Sequence, residues 1–124
     1  MHRDMDLVRE ILLKIEADPE FDGNKMRGIS GAALGITDHT DPEIFYNAVH
    51  LVEEGYLEGN VKMAHAGLVM VKKLTWRGHE YLDATRDPDI WEKTKAKAKG
   101  AASVGMGLLF EIAKAEIKKK LGLS

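Results

Sequence analysis

Leu7, Val8, Ile11, Leu12 and Ile15 recur at the spacing that puts them on one stripe of a helix, with Arg9, Glu10, Lys14 and Glu16 facing out. Asp4 or Asp6 offers an acceptor to the first free backbone N–H groups, and Pro19 forbids continuation. Residues 18–40 lose that period. Gly23, Gly28, Gly31 and Gly35, with Asp, Asn and Ser between them, predict loop and turn. Within this stretch Ile29 and Ala32–Leu34 provide either a short helical turn or an edge strand that seals the core.

Asp41-Pro42-Glu43 predicts a second helix: Asp41 caps, Pro42 takes the first helical position, where its missing N–H costs nothing, and Glu43 suits the positive helix end. Phe45, Ala48, Val49 and Val52 form its predicted inward stripe, and Gly55 supplies a left-handed exit. Tyr56-Leu57-Glu58 predicts a short strand, Gly59 to Gly67 a hairpin tip, and Leu68 to Leu74 the returning strand. Thr75 caps a helix that runs through Tyr81 and Leu82 to about Arg86, with Gly78 permitting close packing. Asp87-Pro88-Asp89 starts another helix, containing Ile90 and Trp91. Gly100, Gly105 and Gly107 interrupt the stretch after it, and a last amphipathic helix runs from about Leu108 to Leu121.

A helix leading directly into a two-stranded hairpin is the wiring of a winged helix, in which the hairpin is the wing. The expected fold is therefore α+β: a winged-helix-like core of helices and a β-hairpin wing over residues 1–86, with a basic helical C-terminal extension over 87–124. The 124 residues suffice for one modest core, and the extension is either part of that domain or a dimerisation arm.

Composition narrows the function classes. Apolar residues at 44% and charged residues at 31% make an ordinary globular balance. With no cysteine there is neither a disulfide framework nor a thiolate zinc site, which suits a reducing cytoplasm. The charged start from Arg3 to Asp6 predicts no signal peptide. The apolar run from Ala101 to Phe110 is about half the length of a spanning helix, so no membrane span is expected. The net charge of -2 conceals an asymmetry: residues 1–91 carry 10 Lys/Arg against 17 Asp/Glu, and residues 92–124 carry 8 Lys against 3 Glu.

Two stretches carry a family resemblance. His2-Arg3-Asp4-Met5-Asp6-Leu7, continued to Glu16, resembles the opening of a small bacterial and prophage family catalogued as a domain of unknown function, whose members begin Met-Lys-Arg-Asp-Met-Asp-Leu. Leu74-Thr75-Trp76-Arg77-Gly78-His79, continued through Tyr81-Leu82 to Ile90-Trp91, is similar to its central block. Tyr46 and Glu54-Gly55-Tyr56-Leu57 resemble its helix-to-wing junction, and Phe110 to Leu123 also looks family-like. Members often carry a histidine after the tyrosine where this chain has Asn47, so no role for that histidine transfers. The resemblance implies a winged-helix-like fold, offers no established activity and leaves function open.

With the predicted stripe inward, the 42–54 helix presents Tyr46, Asn47 and His50, all competent to hydrogen-bond a base edge or a protein. That helix contains no Lys or Arg and carries Glu43, Glu53 and Glu54, which opposes phosphate binding. Lys62 and His65 mark the wing tip as part of the same candidate interaction surface. Lys93, Lys95, Lys97 and Lys99 are candidate contacts to phosphates or to an acidic partner, set against the plainer reading of a solvated face. Leu109, Ile112, Ala113 and Ile117 form a candidate dimer or docking face, with intramolecular packing or dimerisation favoured over a membrane surface.

His2, His39, His50, His65 and His79 are scattered without a ligand spacing, so no metal is expected. Ser30, Ser103 and Ser124 sit in no nucleophile motif, and no phosphate loop occurs. The expected protein is a cytoplasmic, non-catalytic regulatory or adaptor module without cofactor or small-molecule substrate, acting on a protein partner or a second copy of itself. The competing class is a regulator of double-stranded DNA, with the lysine-rich extension supplying the charge that the core helix lacks.

Overall fold

In the computed structural model, which describes residues 3–99 and 104–123, the first helix begins where an Asp4 carboxylate oxygen accepts the Leu7 N–H at 3.0 Å. His2, Gly100, Ala101, Ala102, Ser103 and Ser124 lie outside the described residues. This helix, α1 (Met5–Ala17), buries Leu7, Val8, Ile11, Leu12 and Ile15, the predicted stripe. The chain divides into two units, Met1–His79 and Glu80–Ser124.

In the first unit, the segment after α1 contains both of the alternatives offered for it. Arg27–Gly28 is a short edge strand, β1, and Gly31–Leu34 is one helical turn, α2, capped by the Ser30 hydroxyl. Ile29, Leu34 and Ile36 close the core here. The next helix, α3 (Asp41–Glu53), starts one residue earlier than expected. Thr40, not Asp41, is its cap: the Thr40 hydroxyl accepts the Glu43 N–H, and the Glu43 carboxylate accepts the Thr40 N–H at 2.9 Å. Asp41 instead accepts the Gly31 N–H at 2.8 Å, tying α2 to the start of α3.

The inward face of α3 also differs from the expected one. Ile44, Asn47, Ala48 and Leu51 are buried, whereas Phe45, Val49 and Val52 are only half-buried. The helix carries apolar residues on two adjoining stripes, and the one that includes Ile44 and Leu51 faces α1 and the sheet.

Gly55, at φ 84°, turns the chain into β2 (Leu57–Asn60), which continues past Gly59, where the pattern predicts a loop. A 3-10 turn at Ala64–Ala66 leads to β3 (Met70–Leu74). The hairpin is antiparallel, pairing Leu57 with Leu74 and Asn60 with Met70, with a bulge between Glu58 and Gly59. β1 joins the other edge of β3, so the sheet is three-stranded in the order β1-β3-β2 and not a bare hairpin. Leu57, Val69, Val71 and Leu74 complete the buried core of this unit.

The helix after the wing, α4 (Trp76–Thr85), runs from the first unit into the second. The Thr75 hydroxyl accepts the Gly78 N–H at 3.1 Å and donates to the Gly55 carbonyl. A β-carbon on Gly78 would lie 2.2 Å from the Tyr56 carbonyl oxygen, so the close approach expected at this glycine is real.

In the second unit, Asp87 caps α5 (Pro88–Ala98) and α6 (Met106–Lys120) packs against it. Gly105 stands at the N-cap of α6 and Gly107 lies inside it, so this pair begins the helix where the pattern predicts an interruption. Ala84, Ile90 and Ala113 form a buried cluster on which Phe110 and Ile117 pack. Among the described residues, six α-helices and a small antiparallel sheet make an α+β fold of winged-helix-like type with a helical C-terminal extension. Among the described residues no helix is long and apolar enough to cross a membrane.

Candidate functional site

The register of α3 decides what this helix shows to a partner. With Ile44, Asn47, Ala48 and Leu51 inward, the residues one step around the helix, Phe45, Tyr46, Val49 and His50, line a surface groove with Pro42. Ala64, His65 and Gly67 of the wing supply the opposite wall, and the open groove has a volume of about 570 Å³. The Tyr46 and His50 rings meet edge to face with centroids 4.7 Å apart, and His50 Nδ1 lies 3.7 Å from a Glu53 carboxylate oxygen. The groove thus offers apolar walls, a phenol and two imidazoles.

Three of the five residues expected on the interaction surface, Tyr46, His50 and His65, therefore come together. Lys62 stays on the wing loop without lining the groove; its backbone N–H is held by the Asn60 side chain at 3.0 Å. Asn47 does not belong to this surface. It is 2% exposed; its Oδ1 accepts the Asp4 N–H at 3.1 Å and its amide donates to the Glu43 carbonyl at 2.9 Å. A buried amide with both ends satisfied is structural. The sequence pattern assigns Pro42, Phe45 and Val49 to the helix start and the core, and they are the groove lining that it misses.

Trp76 is a second omission, at 81% exposure. The buried positions of α4 are Gly78, Tyr81, Leu82 and Thr85, together with Ala84, and Trp76 falls off that stripe, which its spacing alone would have shown. Its neighbour Arg77 donates to the Glu54 carbonyl and stacks its guanidinium 4.3 Å above the Tyr56 ring.

His39 departs from its reading as an isolated histidine. Its Nδ1 lies 3.2 Å from Asp38 and its Nε2 3.2 Å from Asp4, and Glu10, Asp38 and His39 place their ligand atoms within 4.8 Å of one another. Burial pushes the ring toward its neutral form, but the hydrogen bonds to Asp38 and Asp4 and the charge of those carboxylates outweigh it, leaving its pKa above the ordinary 6.5. An imidazolium donating from both nitrogens satisfies this arrangement.

The lysines of α5 are largely committed within their own unit. Lys93 pairs with Asp89 at 3.2 Å, Lys95 with Glu92 at 3.1 Å and Lys97 with Glu116 at 2.8 Å, and Lys99 is exposed at the helix end. Glu116 is only 6% exposed, and the hydrogen bond from Lys97 holds its carboxyl below the usual range. Of the docking face expected on α6, Leu109 and Ala113 are buried and Ile112 and Ile117 half-buried, with Ala113 and Ile117 in the cluster that packs α6 on α5.

Comparison with known proteins adds relatives without adding an activity. An uncharacterized protein of Haemophilus influenzae (strain ATCC 51907 / DSM 11121 / KW20 / Rd) is 30% identical over 100 residues, which is 80% of this chain and 80% of that protein. No solved structure matches the chain. The family described as "Hypothetical protein (DUF2513)" matches residues 2–105, a span that takes in α1, the groove, the wing and α4 and stops short of Phe110 to Leu123. That match covers most of the sequence, and the chain belongs to the DUF2513 family.

Proposed function

We propose that this protein is a non-catalytic regulatory or adaptor module that docks a protein partner in the groove between α3 and the wing. The observation that carries this is the lining: Pro42, Phe45, Val49 and Ala64 are apolar side chains held in a concave surface, with Tyr46, His50 and His65 as the few polar groups that would orient an occupant. Five hydroxyls elsewhere are taken up structurally. Those of Ser30, Thr40 and Thr75 cap helices, and those of Thr85 and Thr94 donate to the carbonyls of Tyr81 and Ile90.

Binding of double-stranded DNA is the weaker reading. It needs cations beside Tyr46 and His50, yet α3 has none among Lys and Arg, and Lys93, Lys95 and Lys97 each face a carboxylate. The test is a photo-crosslinking amino acid placed at Tyr46 in the cell of origin, with Asp83, exposed on α4, as control position. Discrete protein adducts are expected from position 46 and not from position 83. Anisotropy with mixed-sequence duplex DNA that shows tight binding, steeply weakened by salt, would replace this function with the DNA-binding one.

A further inference from the structure

We infer that the occupant of the groove is an apolar side chain carried on a cationic polypeptide segment, an inference that rests on the docking function proposed above. The volume of about 570 Å³ falls within the roughly 300–1,000 Å³ of clefts that take a drug-sized ligand, so the groove has room for one bulky apolar side chain. The charge around it is predominantly negative. Residues 41–67, which supply both walls, hold five Asp or Glu and a single Lys, Lys62.

Those carboxylates are not equivalent. Asp41 and Glu43 are occupied as acceptors at the start of α3, from Gly31 and Thr40. Glu53 and Glu54 stand exposed at the other end, where the helix terminus adds its own partial negative charge. Glu53 lies beside His50 in the groove wall. Arg77, the cation next to Glu54, is engaged by the Glu54 carbonyl and the Tyr56 ring. An apolar side chain entering between Phe45, Val49 and Ala64, with a lysine or arginine next to it, would bury its apolar part and set its cation against Glu53. An anionic segment would meet repulsion at the same rim.

The experiment is fluorescence anisotropy on the full chain with three labelled hexapeptides, Gly-Lys-Leu-Trp-Lys-Gly, Gly-Ser-Leu-Trp-Ser-Gly and Gly-Glu-Leu-Trp-Glu-Gly. The lysine peptide is expected to bind about fivefold tighter than the serine peptide, and the glutamate peptide weakest. Glu53→Gln should remove about threefold from the lysine peptide and leave the serine peptide unchanged. Val49→Gln, with Tyr46→Ala as a second variant should the first misfold, should weaken all three.

Equal binding of the three peptides, lost in Val49→Gln, would overturn the cationic preference and leave the docking function standing. No binding of any peptide would overturn both. A concentration-dependent dimer in sedimentation, abolished by Val49→Gln, would assign the groove to a second copy and overturn the inference.

Discussion

The side-chain oxygen of Asn47 accepts the backbone N–H of Asp4 at 3.1 Å, joining the start of α1 to the middle of α3 across 43 residues of chain. The same amide donates to the Glu43 carbonyl, so one buried side chain anchors two helix starts. Removing it strands the Asp4 N–H. Asn47→Ala is expected to cost about 1–3 kcal/mol in urea denaturation. Asn47→Asp should cost at least as much, because it places a carboxylate against the Glu43 carbonyl. Wild-type stability in both would show that the pair is incidental.

That pair lies on the face of α3 that the sequence pattern misplaces. Ile44, Ala48 and Leu51 compete with Phe45, Val49 and Val52 for that face, and the local pattern does not choose between them. The choice rests on packing against α1 and the sheet and on the bond from Asp4, ahead of α1, to Asn47, and these partners are invisible to periodicity. Where punctuation is local, the elements are legible: Asp4, Thr75 and Asp87 cap as expected, and Pro88 begins α5. β1 is two residues long and pairs with β3 across more than 40 residues, so the local pattern offers an edge strand there only as one of two alternatives. Tyr46, His50 and His65 are legible as surface groups, but the apolar groove between them emerges only from the helix register.

His39 makes the first unit sensitive to pH. Its folded pKa is raised, so its contribution to stability is complete below the unfolded value near 6.5 and is lost as pH rises through the folded value. The groups that face it are Asp38, Asp4, Glu10 and, at longer range, Glu43. Urea midpoints of the wild type should fall between about pH 6 and pH 8, and His39→Gln should flatten that slope. An unchanged slope in His39→Gln would assign the dependence to another group.

Glu116 acts in the opposite direction in the second unit. Its carboxyl is held low by the Lys97 hydrogen bond, so its contribution is present above the unfolded pKa and lost as pH falls through the folded one. Glu116→Gln should destabilise α6 at neutral pH and cost less in acid, read as amide exchange across Leu109 to Ile117. Equal protection of the two proteins at neutral pH would dismiss the pair.

Two glycine-to-alanine changes are expected to have opposite signs. At Gly78 the new methyl would meet the Tyr56 carbonyl oxygen at 2.2 Å, and the loss should be about 3 kcal/mol or more. At Gly107, inside a helix, nothing among the described residues lies within 4 Å of the new methyl, so alanine should add about 0.5–1 kcal/mol. Chemical denaturation of the two variants measures both.

The two tryptophans should separate spectroscopically. Trp76 is 81% exposed and Trp91 2% exposed. Trp91→Phe should leave emission that is red-shifted and readily quenched by acrylamide, and Trp76→Phe emission that is blue-shifted and protected. Matching quenching in the two variants would contradict the outward placement of Trp76.

The most direct test of the docking groove uses Val49→Gln, because Val49 either lines a surface or fills a core. Folding stability and photo-crosslinking from position 46 are measured on the same variant. The expected result is a cooperative unfolding transition close to that of the wild type, together with loss of the protein adduct. A variant that unfolds would put Val49 in the core, and one that still crosslinks as the wild type does would place the partner elsewhere.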